Sequence, residues 1–290
     1  MNQQINPVAS VPPLPDLLIE PIVRATLAED LGRAGDITSH AIIPADCYSE
    51  LFLVARRPGV LAGSDLARLA FQLMDKEVVF EPLLVDGARL EKGSRIARVA
   101  GPARALLTAE RTALNFLCHL SGVATITAQI ADSIAEYNCY VTCTRKTTPL
   151  LRAVEKYAVR VGGGRNHRFG LDDAVLIKDN HIAVAGSLTL AVERARAAVG
   201  HLVKIEVEVD SLEQLDEALA LGVDVLLLDN MSLEQLAEAV RRIDGRAISE
   251  ASGGVTPESA IAIAQQGVNQ IAIGWITHSA PILDIGLDVA

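Results

Sequence analysis

Apolar and polar positions change rhythm near residue 109 of the chain. Beyond it, stretches with apolar residues three and four apart alternate with short aliphatic and β-branched runs, the patterns of amphipathic helices and buried strands. AERTALNFLCHLSGVATITAQIADSIAEY reads as helix, in one piece or two, YVTCTR as strand, PLLRAVEKYAV as helix, AVLIKD as strand and GSLTLAVERARAAVG as helix. LVKIEVEV, VDVLLLDN, RAISEAS and QIAIGW follow as four further strands, separated by SLEQLDEALALG, SLEQLAEAVRRI and TPESAIAIAQQG. These last helices open on Ser or Thr, whose side chains cap a first turn, and two of them close on Gly. Six strand–helix alternations of this length predict a parallel sheet with helices outside it.

The polar positions within the strands choose between a barrel and an open sheet. Lys204, Glu206 and Glu208 alternate and so share one face, as do Glu250 and Ser252. An open doubly wound sheet carries apolar side chains on both faces, whereas charges that point together fit the mouth of a barrel. The strand ends carry Arg145-Lys146, Lys178-Asp179-Asn180, Glu208, Asp229-Asn230, Ser252-Gly253-Gly254 and Gly274, and strand ends are where a (β/α) barrel builds its active site. Before residue 109 a helix over LLIEPIVRATLAED precedes short runs punctuated by turns, ELFLVARRPGVLAG, VVFEPLLVDGARL and SRIARVAG, with another helix around SDLARLAFQLM. This mixture predicts a separate α+β domain. The division expected is residues 1–117 for that domain and 118–281 for the barrel, with residues 282–290 able to pack back on the first.

Composition adds bounds. With 290 residues, 50% of them hydrophobic and few aromatic, the chain is expected to be a soluble globular protein. The start, MNQQINPVASVPPLPD, lacks a basic end followed by an apolar core, and no eighteen uncharged apolar residues run together. The expectation is therefore a cytoplasmic protein with no membrane partner. Cys47, Cys118, Cys139 and Cys143 form no CxxC pair, which favours reduced structural thiols. A net charge of −10 argues against nucleic acid as a partner.

Against that acidic total, the stretch from Arg145 to Lys178 holds eight Lys and Arg and three acidic residues. Arg152, Lys156 and Arg160 follow the four-residue spacing of a solvated helix stripe, with Glu155 beside them. The two ends of the stretch do not fit that pattern. Arg145-Lys146 and Lys178 close strand-like runs, and three glycines precede Arg165, Asn166, His167 and Arg168. Cations at strand ends and beside a glycine loop predict an anion site.

The blocks TRKTTP, KYAVRVGGGRNHRFGLDDAVLIKDNHI, IEVEVDSLEQ, LLLDN, EASGGV and AIGWITHS, preceded by AEDLGRAGDITS and LLTAERTALNFLCHLSGVAT, closely resemble the quinolinate phosphoribosyltransferase family over nearly the entire chain. The fold so expected is α/β: a (β/α) barrel, incomplete at seven strands or fewer, with an N-terminal α+β sandwich domain. The resemblance implies a pentosyl transfer that serves NAD biosynthesis. Quinolinate and phosphoribosyl pyrophosphate, with Mg2+, give nicotinate mononucleotide, pyrophosphate and carbon dioxide. It also implies a homodimer, or a higher oligomer, in which Arg111 of AERTALNF reaches the site of a neighbouring subunit.

The residues suit that chemistry. Planar dicarboxylates are held by Arg forks backed by compact cations, and Arg145, His167, Arg168 and Lys178 supply these with Arg111. Lys146 and Lys178 are suited to clamping pyrophosphate, while Glu208 and Asp229 are hard oxygen ligands for magnesium, directly or through water, or for ribose hydroxyls. Ser252, Gly253, Gly254 and Gly274, at the last two strand ends, are placed to receive phosphate on backbone N–H groups. Lys146, Lys178, Glu208 and Asp229 form the expected catalytic set. Lys204, Glu206 and Glu250 are either structural charges paired within the barrel or ligand contacts. Asp179 and Asn180 can cap a turn, Asp36 and Thr38 can fix one in the first domain, and His119, His181, His201 and His278 read as structural or surface histidines.

Two other readings remain at this level. A phosphoribosyltransferase of the same fold could act on another aromatic acid, although three guanidinium groups suit two carboxylates better than one. A non-catalytic barrel binding phosphorylated sugars would gain nothing from Glu208 and Asp229 beside an anion.

Overall fold

The structure, a computed structural model, describes residues 11–289. The expectations for residues 1–10, including most of the proline-rich start, and for Ala290 lie outside the described residues. In chain order the first elements are α1 (Asp16–Leu31), α2 (Ile37–Ile42), β1 (Tyr48–Ala55), β2 (Gly59–Val60), α3 (Ser64–Met74), β3 (Val79–Pro82), β4 (Arg89–Leu90) and β5 (Arg95–Pro102). Then come α4 (Ala103–Ser133), β6 (Tyr140–Thr142), α5 (Arg152–Val161), β7 (Val175–Ile177), α6 (Asp179–Ala185) and α7 (Leu188–Ala198). The chain continues through β8 (Ile205–Val209), α8 (Leu212–Ala220), β9 (Val225–Asp229), α9 (Leu233–Ile243), β10 (Ile248–Ser252), α10 (Pro257–Ala264), β11 (Gln270–Ala272), α11 (Trp275–His278) and β12 (Ile285–Val289).

These elements fall into two units, and the division is not a single cut. Among the described residues, the first comprises those up to Ala128, Ala153–Gly163 and those from Ser279; the second is Gln129–Arg152 and Gly164–His278. In the first unit an antiparallel sheet runs in the order β12-β1-β5-β3. Leu51 to Ala55 of β1 pair with Val289 to Ile285, so the last strand lies beside the first. Ile19, Val23 and Leu27 of α1 and Leu66, Ala70 and Phe71 of α3 are buried at helical spacing, each large side chain contributing roughly 1.5–3 kcal/mol by leaving water.

The helix α4 is a single piece. By length and composition it could cross a membrane, although no eighteen uncharged apolar residues run together in it, and 72% of its most apolar window is buried within the protein.

The solvated stripe expected on α5 is a correction. Lys156 and Glu155 are fully buried and Arg152 is half-buried, leaving Arg160 as the exposed member. Glu155 Oε1 meets His119 Nε2 of α4 at 2.8 Å, and Tyr157 donates its hydroxyl to Asp86 Oδ2 at 2.8 Å. Burial first, then the Asp86 charge, pushes the Tyr157 hydroxyl far above its ordinary range. Four-residue spacing puts charges on one helix face, but it does not say whether that face meets water. Here α5 is embedded in the first unit.

In the second unit six parallel strands run in the order β6-β11-β10-β9-β8-β7. This is the neighbour order of a barrel cut between β6 and β7, and the single bridge from Thr142 to Arg165 lies on the β6 side of the cut. The fold is thus an incomplete α/β barrel following an α+β domain. Helices at the strand ends start as their sequences dictate: Ser211, Ser232 and Thr256 accept from the backbone N–H of Gln214, Gln235 and Ser259, satisfying donors that the first turn leaves open.

Candidate active site

Strand parity decides which side chains face inward. Register aligns Glu206 with Val225 and Ile248, and Glu208 with Leu227, Glu250 and Gln270. Asp229 stands beside Ser252 at the C-terminal ends of β9 and β10. Val207, Val209, Leu226 and Leu228, on the opposite face, are almost fully buried. The carboxylates of Glu206, Glu208, Glu250 and Asp229 therefore share one side of the sheet, Glu206 level with the starts of β9 and β10, Glu208 and Glu250 level with their middles and Asp229 at the C-terminal edge. Lys204, expected on this face, is corrected: it precedes β8, is 70% exposed and pairs with Asp224 Oδ1 at 2.6 Å.

The cationic loops gather at the same strand ends. Lys146 follows β6 and is exposed; its backbone N–H donates to Thr144 Oγ1 (3.0 Å) and its carbonyl accepts from Thr277 Oγ1 (2.8 Å). Arg145 is half-buried, with an Nε that finds no hydrogen-bond partner among the described residues. Arg168 donates from Nη1 to Ala174 O at 2.9 Å. Its burial, followed by the like charge of Arg145, holds its guanidinium below the ordinary range, with Glu206 acting in the opposite sense. Two guanidinium groups that repel each other in a half-buried setting gain from an anion between them.

Arg152, expected to be solvated, ties these loops together. It donates to Thr147 Oγ1 (3.1 Å), to Arg145 O (3.4 Å) and to Phe169 O (2.9 Å). No pattern in the sequence marks it for this, because its position in α5 reads as part of the charge stripe.

His167 was expected to offer a donor to a substrate carboxylate, and the structure turns it toward the protein's own. Its Nε2 lies 2.9 Å from Glu206 Oε2 and 3.6 Å from Glu250 Oε1, while Nδ1 accepts from the Arg168 backbone N–H at 2.8 Å. In a neutral ring that acceptor role leaves the proton on Nε2, facing Glu206. Glu206 and Glu250 are 6% and 3% exposed, and Glu206 Oε1 has no hydrogen-bond partner among the described residues. The three side chains bring their ligand atoms within 4.8 Å of one another and can hold a metal ion. The donor set is not specific to magnesium, since one imidazole with carboxylates equally suits transition metals.

Lys178 closes β7 and pairs through Nζ with Glu208 Oε2 of β8. It also stands before the first turn of α6, where its N–H donates to His181 Nδ1 at 2.9 Å, giving His181 a structural part. At the end of β9, Asp229 Oδ2 accepts from Asn230 Nδ2 at 2.7 Å. Gly253 and Gly254 follow β10 with φ of 108° and 56°, conformations that favour glycine. At Gly274, which follows β11, a Cβ would come within 2.9 Å of Cδ on the flexible side chain of Lys146. The remaining expected residue, Arg111, lies on α4 in the first unit. It is exposed and lines a surface recess that includes Asp30 and Asp36. Asp36 caps α2, accepting from Ser39 N at 2.9 Å and from Thr108 Oγ1 at 2.9 Å.

With this geometry in hand, the similarity to known proteins becomes informative. The family model for the quinolinate phosphoribosyl transferase C-terminal domain matches residues 123–288, and that for the N-terminal domain matches residues 36–121. The carboxylating nicotinate-nucleotide pyrophosphorylase of Mycobacterium leprae is 48% identical over 274 residues, covering 92% of this chain and 95% of the relative. A probable enzyme of the same name from Bacillus subtilis is 44% identical, covering 94% of each. The solved nicotinate-nucleotide pyrophosphorylase of Francisella tularensis superposes with a TM-score of 0.92 at 38% identity, covering 97% of this chain and 99% of that one. With both domains matched in order and relatives aligned almost end to end, the chain belongs to the quinolinate phosphoribosyltransferase family.

Proposed function

We infer that this chain transfers the phosphoribosyl group of phosphoribosyl pyrophosphate to quinolinate with loss of carbon dioxide, forming nicotinate mononucleotide in NAD biosynthesis. The observation that carries the reading at the site is the meeting of Arg145, Lys146, Arg168 and Lys178 with Glu208 and Asp229 at one edge of a parallel sheet. A dianion and a pyrophosphate need the cations; a ribosyl centre gaining positive charge needs the carboxylates.

In this assignment Arg145 and Arg168 take the two quinolinate carboxylates, and Arg152 keeps their loops in register. His167, bonded to Glu206, acts by fixing the Arg168 backbone more than as a carboxylate donor. The quinolinate ring nitrogen attacks C1 of the ribose as the bond to pyrophosphate breaks, the electron pair leaving with pyrophosphate beside Lys146 and Lys178. Glu208 and Asp229 would hold magnesium, directly or through water, and the ion there would neutralise the departing pyrophosphate. Ser252, Gly253 and Gly254 offer backbone N–H groups to phosphate. Gly274, after β11, is assigned to phosphate in the same way and also leaves room for Lys146.

Once ribosylated, the ring nitrogen is cationic. Loss of the adjacent carboxylate leaves an electron pair that this charge stabilises until solvent protonates the carbon. No dedicated base is required, and the protein's part is orientation within an electrostatically matched pocket. We assign Arg111 to the quinolinate of a neighbouring copy in a homodimer. Its exposure, and the lack of a hydrogen bond or ion pair to any described residue, leave it available for that role.

The decisive assay supplies purified protein with phosphoribosyl pyrophosphate, Mg2+ and either quinolinate or nicotinate, and measures the mononucleotide and carbon dioxide. Quinolinate should turn over, with carbon dioxide released one for one. Nicotinate should be used at least about a hundredfold less well, because it leaves part of the half-buried Arg145–Arg168 cluster unpaired. Comparable rates on the two acids would reject the dicarboxylate assignment.

A further inference from the structure

Asn230 ends β9 with φ of 53°, one of three non-glycine residues with positive φ among the described residues. Asn tolerates that region better than most residues, yet glycine would reach it more easily. The side chain is what distinguishes the position. Its Nδ2 donates to Asp229 Oδ2 at 2.7 Å, and its Oδ1 fills the space where a Cβ on Gly253 would have to go. The backbone joins the same two strands, since Asn230 N–H donates to Ser252 O at 2.9 Å. One residue thus touches the carboxylate assigned to the ribosyl–magnesium side and the turn assigned to phosphate.

We propose that Asn230 is a positioning residue for the phosphoribosyl pyrophosphate half of the site, an assignment that rests on the functional reading above. By occupying Oδ2 of Asp229 it sets the carboxylate plane and leaves Oδ1 to the ligand. By filling the space above Gly253 it holds the backbone of Ser252, Gly253 and Gly254 in the conformation that aims N–H groups outward. Gly253 must then lack a Cβ for two reasons: its φ of 108° and the Asn230 amide against it. None of these contacts involves Arg145 or Arg168, so the quinolinate half should be insensitive to Asn230.

Asn230→Gly tests this cleanly, because glycine keeps the positive φ and removes only the amide. Two titrations are followed by calorimetry. One adds quinolinate to the enzyme. The other adds phosphoribosyl pyrophosphate with Mg2+ to enzyme saturated with phthalate, a planar dianion with no ring nitrogen to react. In the variant, binding of phosphoribosyl pyrophosphate should weaken about tenfold, the scale of one hydrogen bond to a charged group. Quinolinate binding should stay within about twofold, and the magnesium concentration for half-maximal turnover should rise. Asn230→Asp, which cannot donate to Asp229 and adds a like charge, should be at least as impaired in the second titration. Unchanged binding of phosphoribosyl pyrophosphate in Asn230→Gly, or equal loss of both ligands, overturns the proposal. A wild-type protein that binds neither substrate overturns the functional reading instead.

Discussion

At Arg152 one guanidinium bonds to two loops, reaching Thr147 Oγ1 and the carbonyls of Arg145 and Phe169. Removing it should loosen the cationic loops without touching a substrate. Arg152→Ala is expected to raise the KM for quinolinate about tenfold and the KM for phosphoribosyl pyrophosphate much less. Arg152→Lys should recover little, because an ammonium cannot reproduce a planar fork. Steady-state kinetics with each substrate varied would show it, and an equal rise in both constants would mean a general loss of structure. Much of the cationic half is legible residue by residue, since Arg145, Lys146 and Lys178 stand at strand ends. The partners of His167 are not, because Glu206 and Glu250 come from strands about forty residues apart in sequence and meet only through sheet register. Lys204 shows the converse: alternation put it on the same face, but it precedes the strand and meets Asp224 at the surface.

Among the elements, α5 departs furthest from its pattern. Its length and periodicity are plain in the sequence, but nothing local signals that it leaves the barrel segment to lie in the first unit with Lys156 and Glu155 buried. Gly162, just beyond its end, faces the Ala124 carbonyl of α4 so closely that a Cβ would overlap it, while its own φ is not in the left-handed region. The cost of Gly162→Ala is therefore steric. Urea unfolding should show a loss of about 2–4 kcal/mol; a variant as stable as the wild type would mean that α5 shifts freely. The six parallel strands are read correctly in sequence because aliphatic runs, Ser and Thr caps and closing glycines agree with one another. Short pieces such as α2, α6 and α11 escape notice, since six, seven and four residues are too few to show a period.

For the whole molecule, Arg111 belongs to the first unit, whereas Lys146 belongs to the second, so the two can be disabled separately. In the proposed homodimer, Arg111→Ala and Lys146→Ala proteins should each be nearly inactive. Subunit exchange between them should restore roughly a quarter of wild-type activity, as half the reassorted dimers are mixed and each has one intact site. Mixing that demonstrably exchanges subunits yet restores nothing would remove Arg111 from action across an interface. The return of the chain to its starting sheet has a consequence for biosynthesis. Because β12 covers the edge of β1, a ribosome must translate the entire barrel-coding region before that edge is closed. Until then the nascent first unit presents unpaired backbone groups of a long strand, a surface on which neighbouring chains can pair. Slow translation or premature termination in the barrel-coding region would thus be felt first as aggregation of the N-terminal half.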